Sequence, residues 1–245
     1  MGVHRLTIRR EGRVFDAFLA AVPAREFENL SRVADDFLAT AERDYFRGLR
    51  FPRRRESYLL GRRAAKLALG EYLREPGLNK LEVYSGVFQQ PLVRYAAAEP
   101  PGVSVSHCGK LAVALAFPID HPMALDVEEI DAERCATIQT QMSAWERQRA
   151  RGGEAAESSL STMIWTAKEA LSKALKCGLM SPIEILGLSE LQTLLDNSWT
   201  GLYQNFPQYK FLAWSNASLA FSIVLPKKSN LDPTPAISAM LKGEG

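Results

Sequence analysis

Polar and apolar positions alternate at the start of the chain: Leu6 and Ile8 stand two apart, Glu11 and Gly12 interrupt, and an apolar return runs through Val14, Phe18 and Leu19. The spacing predicts a hairpin over residues 3–22. The period then lengthens to that of a helix. Over residues 27–47 and again over 56–73 apolar side chains recur at three and four, the second stretch through Leu59, Leu60, Leu67, Tyr72 and the aliphatic stem of Arg63. Pro52 divides the two expected helices, and Pro76-Gly77 stops the second.

Short runs of β character follow at 81–84, 92–95, 103–106 and Leu111–Phe117, punctuated by Glu99-Pro100-Pro101-Gly102 and by Gly109. A strand at 124–130 opens the second half. After it the pattern predicts a helix over 131–149, a polar break at Arg151-Gly152-Gly153-Glu154, a long helix over 158–176, and strands at 187–191 and 217–225. Each half therefore reads as helices packed with a small, mainly antiparallel sheet. The expected fold is α+β in two lobes, residues 1–119 and 120–228, with a loose tail over 229–245 that is rich in Ser, Pro and Lys. No sequence repeat links the lobes.

Composition changes this picture little. The 245 residues are 47% hydrophobic and 24% charged, as in an ordinary folded protein. A net charge of +2 argues against a surface built wholly for nucleic acid. Cys108, Cys135 and Cys177 are an odd, widely spaced set without a C-x-x-C, which fits free thiols in a reducing compartment, so a cytoplasmic location is expected. The charged start Met1-Gly2-Val3-His4-Arg5 suits neither a signal peptide nor, with Leu6 following, a myristoylation signal, and Leu111–Phe117 is too short to span a bilayer; no membrane association is expected.

Two charged constellations carry the candidate chemistry. In Ala124-Leu125-Asp126-Val127-Glu128-Glu129-Ile130, strand alternation sends Asp126 and Glu128 to one face. Two adjacent carboxylates repel unless they are solvated or bridged, and hard oxygen donors suit Mg²⁺, with Mn²⁺ accepted by the same ligands. In isolation such a pair is commonly a solvated strand face. On the helix around 163–175, however, Glu169 and Lys173 lie four apart beside an apolar stripe of Ile164, Ala167, Leu171, Ala174 and Leu175. Alone they read as a surface ion pair; with the strand, Glu169 can serve as a third ligand or a base, and Lys173 can hold a phosphate.

The other constellation is basic: Arg43, Arg47, Arg50, Arg53, Arg54, Arg55, Arg62, Arg63 and Lys66, with only Asp44 and Glu56 among them. Such a run is normally a solvated helix face, and thin aromatic interleaving weakens a nucleic-acid reading. A ligand with several phosphates accounts for a basic patch together with a carboxylate cluster; coenzyme A and nucleotides both qualify. His107, at the end of Val103-Ser104-Val105-Ser106-His107, has no partner spacing for a hydrolase triad or zinc site.

Taken in order, Gly61-Arg62-Arg63-Ala64-Ala65-Lys66, Gln90-Pro91-Leu92, Val105-Ser106-His107-Cys108, Leu125-Asp126-Val127-Glu128 and Trp165-Thr166-Ala167-Lys168-Glu169-Ala170-Leu171-Ser172-Lys173-Ala174 resemble the 4′-phosphopantetheinyl transferases of the Sfp type. The resemblance implies two similar lobes forming a pseudo-dimer, with coenzyme A in the cleft, and a chain that works as a monomer. It implies metal ligation by Asp126, Glu128 and Glu169, phosphate contacts from His107, Lys173 and Arg62, and a cleft lined by Ser106 and Lys168, with Arg55 and Lys66 as further coenzyme A candidates. Asp126, Glu169 and Lys173 are the expected catalytic residues. The implied partner is an acyl carrier protein or peptidyl carrier domain. Departures lie at Cys108, at Gly86-Val87-Phe88-Gln89-Gln90 ahead of Pro91, and at Ala124-Leu125 ahead of Asp126. Competing readings are a non-catalytic relative that docks carrier proteins and an Mg²⁺-dependent nucleotide hydrolase, the latter without a P-loop.

Overall fold

The computed structural model describes residues 2–194, 197–233, 235–237 and 240. The chain forms two compact units: Met1–Pro122 together with Ser229–Gly245, and Met123–Lys228. Both are α+β, the class that the hydrophobic pattern predicts.

In the first unit, β1 (Gly2–Arg10) and β2 (Arg13–Pro23) pair in unbroken antiparallel register from Gly2 opposite Ala21 to Arg10 opposite Arg13. Glu11 and Gly12 turn the hairpin with φ of 48° and 79°, the left-handed pair that matches strand twist. Leu6, Ile8, Ala17 and Leu19 point inward and are buried. The sheet runs β12-β1-β2-β6-β5, where β5 is Gly102–His107, β6 is Leu111–Phe117 and β12 is Asn230–Leu231.

Helix α4 (Pro52–Leu73) packs on β2, β5 and β6 through the small residues Ala64, Ala65 and Ala68. Pro52 separates it from the helical stretch before it, as expected, and also begins it, ahead of the expected start at 56, because a first-turn residue has no intrahelical N–H bond to lose. The helix predicted over 27–47 is three short pieces, α1 (Phe27–Arg32), α2 (Ala34–Phe37) and α3 (Thr40–Gly48), broken where Val33 leaves helical geometry and Leu38 and Ala39 are extended. A separate ribbon pairs β3 (Glu82–Ser85) with β4 (Pro91–Arg94). The tail predicted to be loose places Leu231 opposite Ile8 and Asn230 opposite Arg9, and buries Ser229 and Ile237; positions 234, 238, 239 and 241–245 lie outside the described residues.

The second unit is an antiparallel sheet of order β7-β11-β10-β9-β8: β7 (Ala124–Glu129), β8 (Leu188–Thr193), β9 (Ser198–Tyr203), β10 (Tyr209–Ser215) and β11 (Leu219–Pro226). Strands β9 and β10 were not expected from the pattern; Tyr203, Phe211 and Ala213 are their buried face. Phe211 closes on Gly201, where an added Cβ would lie 2.6 Å from its ring. Helix α7 (Glu154–Ala174) packs on β7, β10 and β11. The helix expected over 131–149 is two, α5 (Ala132–Thr140) and α6 (Ala144–Ala150), because Ser143 caps α6 by accepting from the backbone N–H of Glu146 at 3.1 Å.

One device occurs in each unit. Glu42, in the first turn of α3, accepts from the backbone N–H of Ala39 at 2.8 Å and of Val83 at 2.9 Å, and its Oε2 lies 2.7 Å from Lys66 Nζ. Glu146, in the first turn of α6, accepts from the N–H of Ser143 at 2.7 Å and of Leu188 at 2.9 Å, and its Oε2 lies 2.8 Å from Lys168 Nζ. Both lysines are on the unit's long helix, and all four side chains are at most 3% exposed. Lys66 also donates to the carbonyls of Leu78 and Leu81, and Lys168 to that of Gln141. A charge removed from water so completely persists only when every oxygen and proton finds a partner.

Candidate active site

The acids gather because β7 and α7 pack face to face. Leu125 and Val127 enter the core with no exposure, while Asp126 and Glu128 pair opposite Ser222 and Ala220 of β11. Helix α7 contributes Glu169, and one carboxylate oxygen from each of Asp126, Glu128 and Glu169 lies within 4.8 Å of the others. Asp126 is 1% exposed, and its Oδ1 accepts from Lys173 Nζ at 2.6 Å. The lysine therefore turns to the strand rather than to Glu169, its neighbour one helical turn back. Arg134, on α5, donates to Glu128 Oε2 at 3.1 Å.

Burial first, and then the charge of Asp126, pushes the Glu169 carboxyl up to about 8; Glu128 adds to the rise and Lys173 opposes it. Glu128 is raised for the same reasons, burial and then Asp126, with Arg134 opposing. Fully ionised, the three acids would carry one more charge than Lys173 and Arg134 offset, which is why the cluster holds on to a proton when no cation is bound. All the donors are hard oxygens, and a small divalent cation is the group such a set fits.

The first unit contains a cavity of about 630 Å³ whose walls include Arg54, Arg62, His107, Tyr45, Tyr58 and Tyr84. The guanidinium of Arg62 stacks over Tyr58 at 4.7 Å and its Nε lies 3.5 Å from Glu42 Oε1. Two guanidiniums, an imidazole and three phenol rings share the walls with Glu42 and Glu82, whose charges are paired with Lys66 and Arg94, and that lining suits an anionic ligand with a flat aromatic part.

Residues 122–227 match the 4′-phosphopantetheinyl transferase superfamily. The matched segment coincides with the second unit to within one residue at each end and carries Asp126, Glu128, Glu169 and Lys173. Among solved structures, the chain is similar to a holo-(acyl-carrier-protein) synthase from Bacillus anthracis str. Ames in complex with CoA (3′,5′-ADP), at 21% identity and a TM-score of 0.38 over 45% of this chain and 96% of that one. It is also similar to the holo-ACP-synthase from Plasmodium yoelii, at 17% identity and a TM-score of 0.35 over 48% of this chain and 96% of that one. No curated protein matches.

The residues expected from sequence divide into two groups. Asp126, Glu128, Glu169 and Lys173 converge within the matched segment, and Arg62 and His107 line the first unit's cavity. The others are placed elsewhere. Lys66 and Lys168 are interior, tied to Glu42 and Glu146. Ser106 is buried on the strand face opposite His107. Arg55 lies 4.4 Å from the Phe46 ring and donates to the carbonyls of Phe46 and Leu49, clamping the α3 to α4 corner. Arg54 and Tyr84 line the cavity without having been singled out. For Arg54 a signal existed: once α4 starts at Pro52, positions 54, 58 and 62 share one helical face. Among the described residues no helix is long and apolar enough to cross a membrane.

Proposed function

We propose that the chain transfers 4′-phosphopantetheine from coenzyme A to a serine of an acyl or peptidyl carrier protein, releasing 3′,5′-ADP. The observation that carries this reading is the convergence of Asp126, Glu128 and Glu169 within 4.8 Å, with Lys173 at 2.6 Å from Asp126, inside the segment that matches the superfamily. Asp126, Glu128 and Glu169 would hold Mg²⁺ or Mn²⁺. When bound, the ion supplies Lewis-acid stabilisation of charge on pyrophosphate oxygens.

The chain's own groups do the rest. In the first unit, Arg54 and Arg62 offer positive charge, and His107 an imidazole, to phosphate groups. Lys173 is placed to exchange Asp126 for a phosphate oxygen. Glu169 takes the proton of the serine hydroxyl, directly or through a water, as that oxygen attacks the β-phosphorus and the bond to the leaving 3′,5′-ADP oxygen breaks. The enzyme forms no covalent intermediate. A monomer suffices, since all three acids and Lys173 come from one chain.

The test is to incubate the protein with an apo carrier protein, coenzyme A and Mg²⁺, and weigh the carrier by mass spectrometry. A gain of one phosphopantetheine is expected, abolished by EDTA and strongly reduced in Asp126→Ala and Glu169→Gln. Unchanged mass across fatty acid, polyketide and nonribosomal peptide carriers would overturn the enzymatic reading.

A further inference from the structure

Arg134 stands in an unfavourable place for a cation. It is the third residue of α5, in the first turn, where the unpaired backbone N–H groups and the helix dipole repel positive charge. Its neighbours follow the usual rule: Asp131 caps the helix by accepting from the N–H of Glu133 at 2.8 Å, and Glu133 is the acid of the first turn. What offsets the misplacement is Glu128, whose Oε2 accepts from Arg134 Nη1 at 3.1 Å. The two side chains differ in access to water, Arg134 being 50% exposed and Glu128 18%. Lys173, the other cation at the cluster, lies in the last turn of α7, where the dipole favours it.

We infer that Arg134 is the residue that sets the cation affinity of the acidic cluster, by pairing with the Glu128 carboxylate that a divalent cation needs. This rests on the metal-binding reading of Asp126, Glu128 and Glu169. A guanidinium and a divalent cation on one carboxylate compete for its charge and repel each other across it, so binding tightens as the guanidinium withdraws. Half exposed and at a helix end that repels it, the side chain can leave for solvent at little cost. The arrangement holds Glu128 in place beside two other acids when no cation is present, and yields it when one arrives. Lys173 offers the same compensation to Asp126, but from a half-buried position that the dipole supports, so Arg134 is the weaker hold.

The experiment is a Mn²⁺ titration of the full chain in the absence of coenzyme A, following free Mn²⁺ by electron paramagnetic resonance, for the unsubstituted protein, Arg134→Gln, Arg134→Lys and Asp126→Asn. Arg134→Gln is expected to tighten binding by about two- to fivefold, the range a partly exposed ion pair can exert. Arg134→Lys should change it less, and Asp126→Asn should abolish it. In chelator, Arg134→Gln should unfold at lower temperature than the unsubstituted protein, and Mn²⁺ should close that gap. If the unsubstituted protein binds Mn²⁺ and Asp126→Asn does not, yet Arg134→Gln binds equally or more weakly, the role of Arg134 is refuted while the metal site stands. If no protein in the set binds Mn²⁺, the metal reading fails and this inference with it.

Discussion

Glu169 begins from an ordinary value of 4.5 and is held at about 8 by burial and by Asp126. Between those values the folded chain keeps a proton that the unfolded chain has already released. The native state then binds more protons than the unfolded one, so this group's contribution to stability falls as pH rises through the window. Melting temperature in EDTA should decline from about pH 5 to about pH 8, and either saturating Mg²⁺ or Glu169→Gln should flatten that decline. A decline of equal slope in Glu169→Gln would assign it to other groups. At this scale the sequence was partly legible. Asp126 and Glu128 share a face by strand alternation alone, whereas Glu169 joined them only through the family resemblance. Arg134 and Glu146 were not legible, because their partners Glu128 and Lys168 are brought near by packing that spacing does not encode.

The long helices are locked by charge as well as by packing. Lys168 directly precedes Glu169, so its bond to Glu146 fixes the rotation of α7 that aims Glu169 and Lys173 at β7. Lys168→Met leaves the Glu146 carboxylate buried without its cation and should cost about 3–5 kcal/mol. Adding Glu146→Gln removes the stranded charge while keeping one acceptor, and should recover part of the loss. Urea denaturation of the four proteins in this cycle measures the coupling, and strictly additive losses would contradict it. Lys66→Met with Glu42→Gln is expected to behave alike in the first unit. Element boundaries were misread where a local feature outweighed periodicity: α4 starts at Pro52 rather than at 56, Ser143 caps α6 within an apparently continuous helix, and Leu38 and Ala39 adopt extended backbone. Strands β9 and β10 escaped notice because their apolar positions are spread among Thr200, Gly201 and Lys210.

At the scale of the molecule, the chain leaves its first unit after Pro122, builds the second, and returns at Ser229. There His121 Nε2 and Ser229 Oγ lie 2.7 Å apart, both buried, and two residues of β12 extend the sheet along β1. Truncation after Lys228 should speed amide exchange along β1 and lower the unfolding temperature of the first unit, while exchange in β7, β10 and β11 stays unchanged. Equal acceleration in both units would show that the tail supports more than its own sheet. A chain that closes in this way is made in an awkward order. The ribosome delivers β1 before the whole second unit and β12 after it, so a growing chain carries an uncovered sheet edge until β12 emerges. Bare edges invite pairing with neighbouring nascent chains. Arg9 and Arg10 place like charges along that strand, and two polypeptides emerging side by side would meet there in repulsion before the returning segment arrives to cover Ile8 and Arg9.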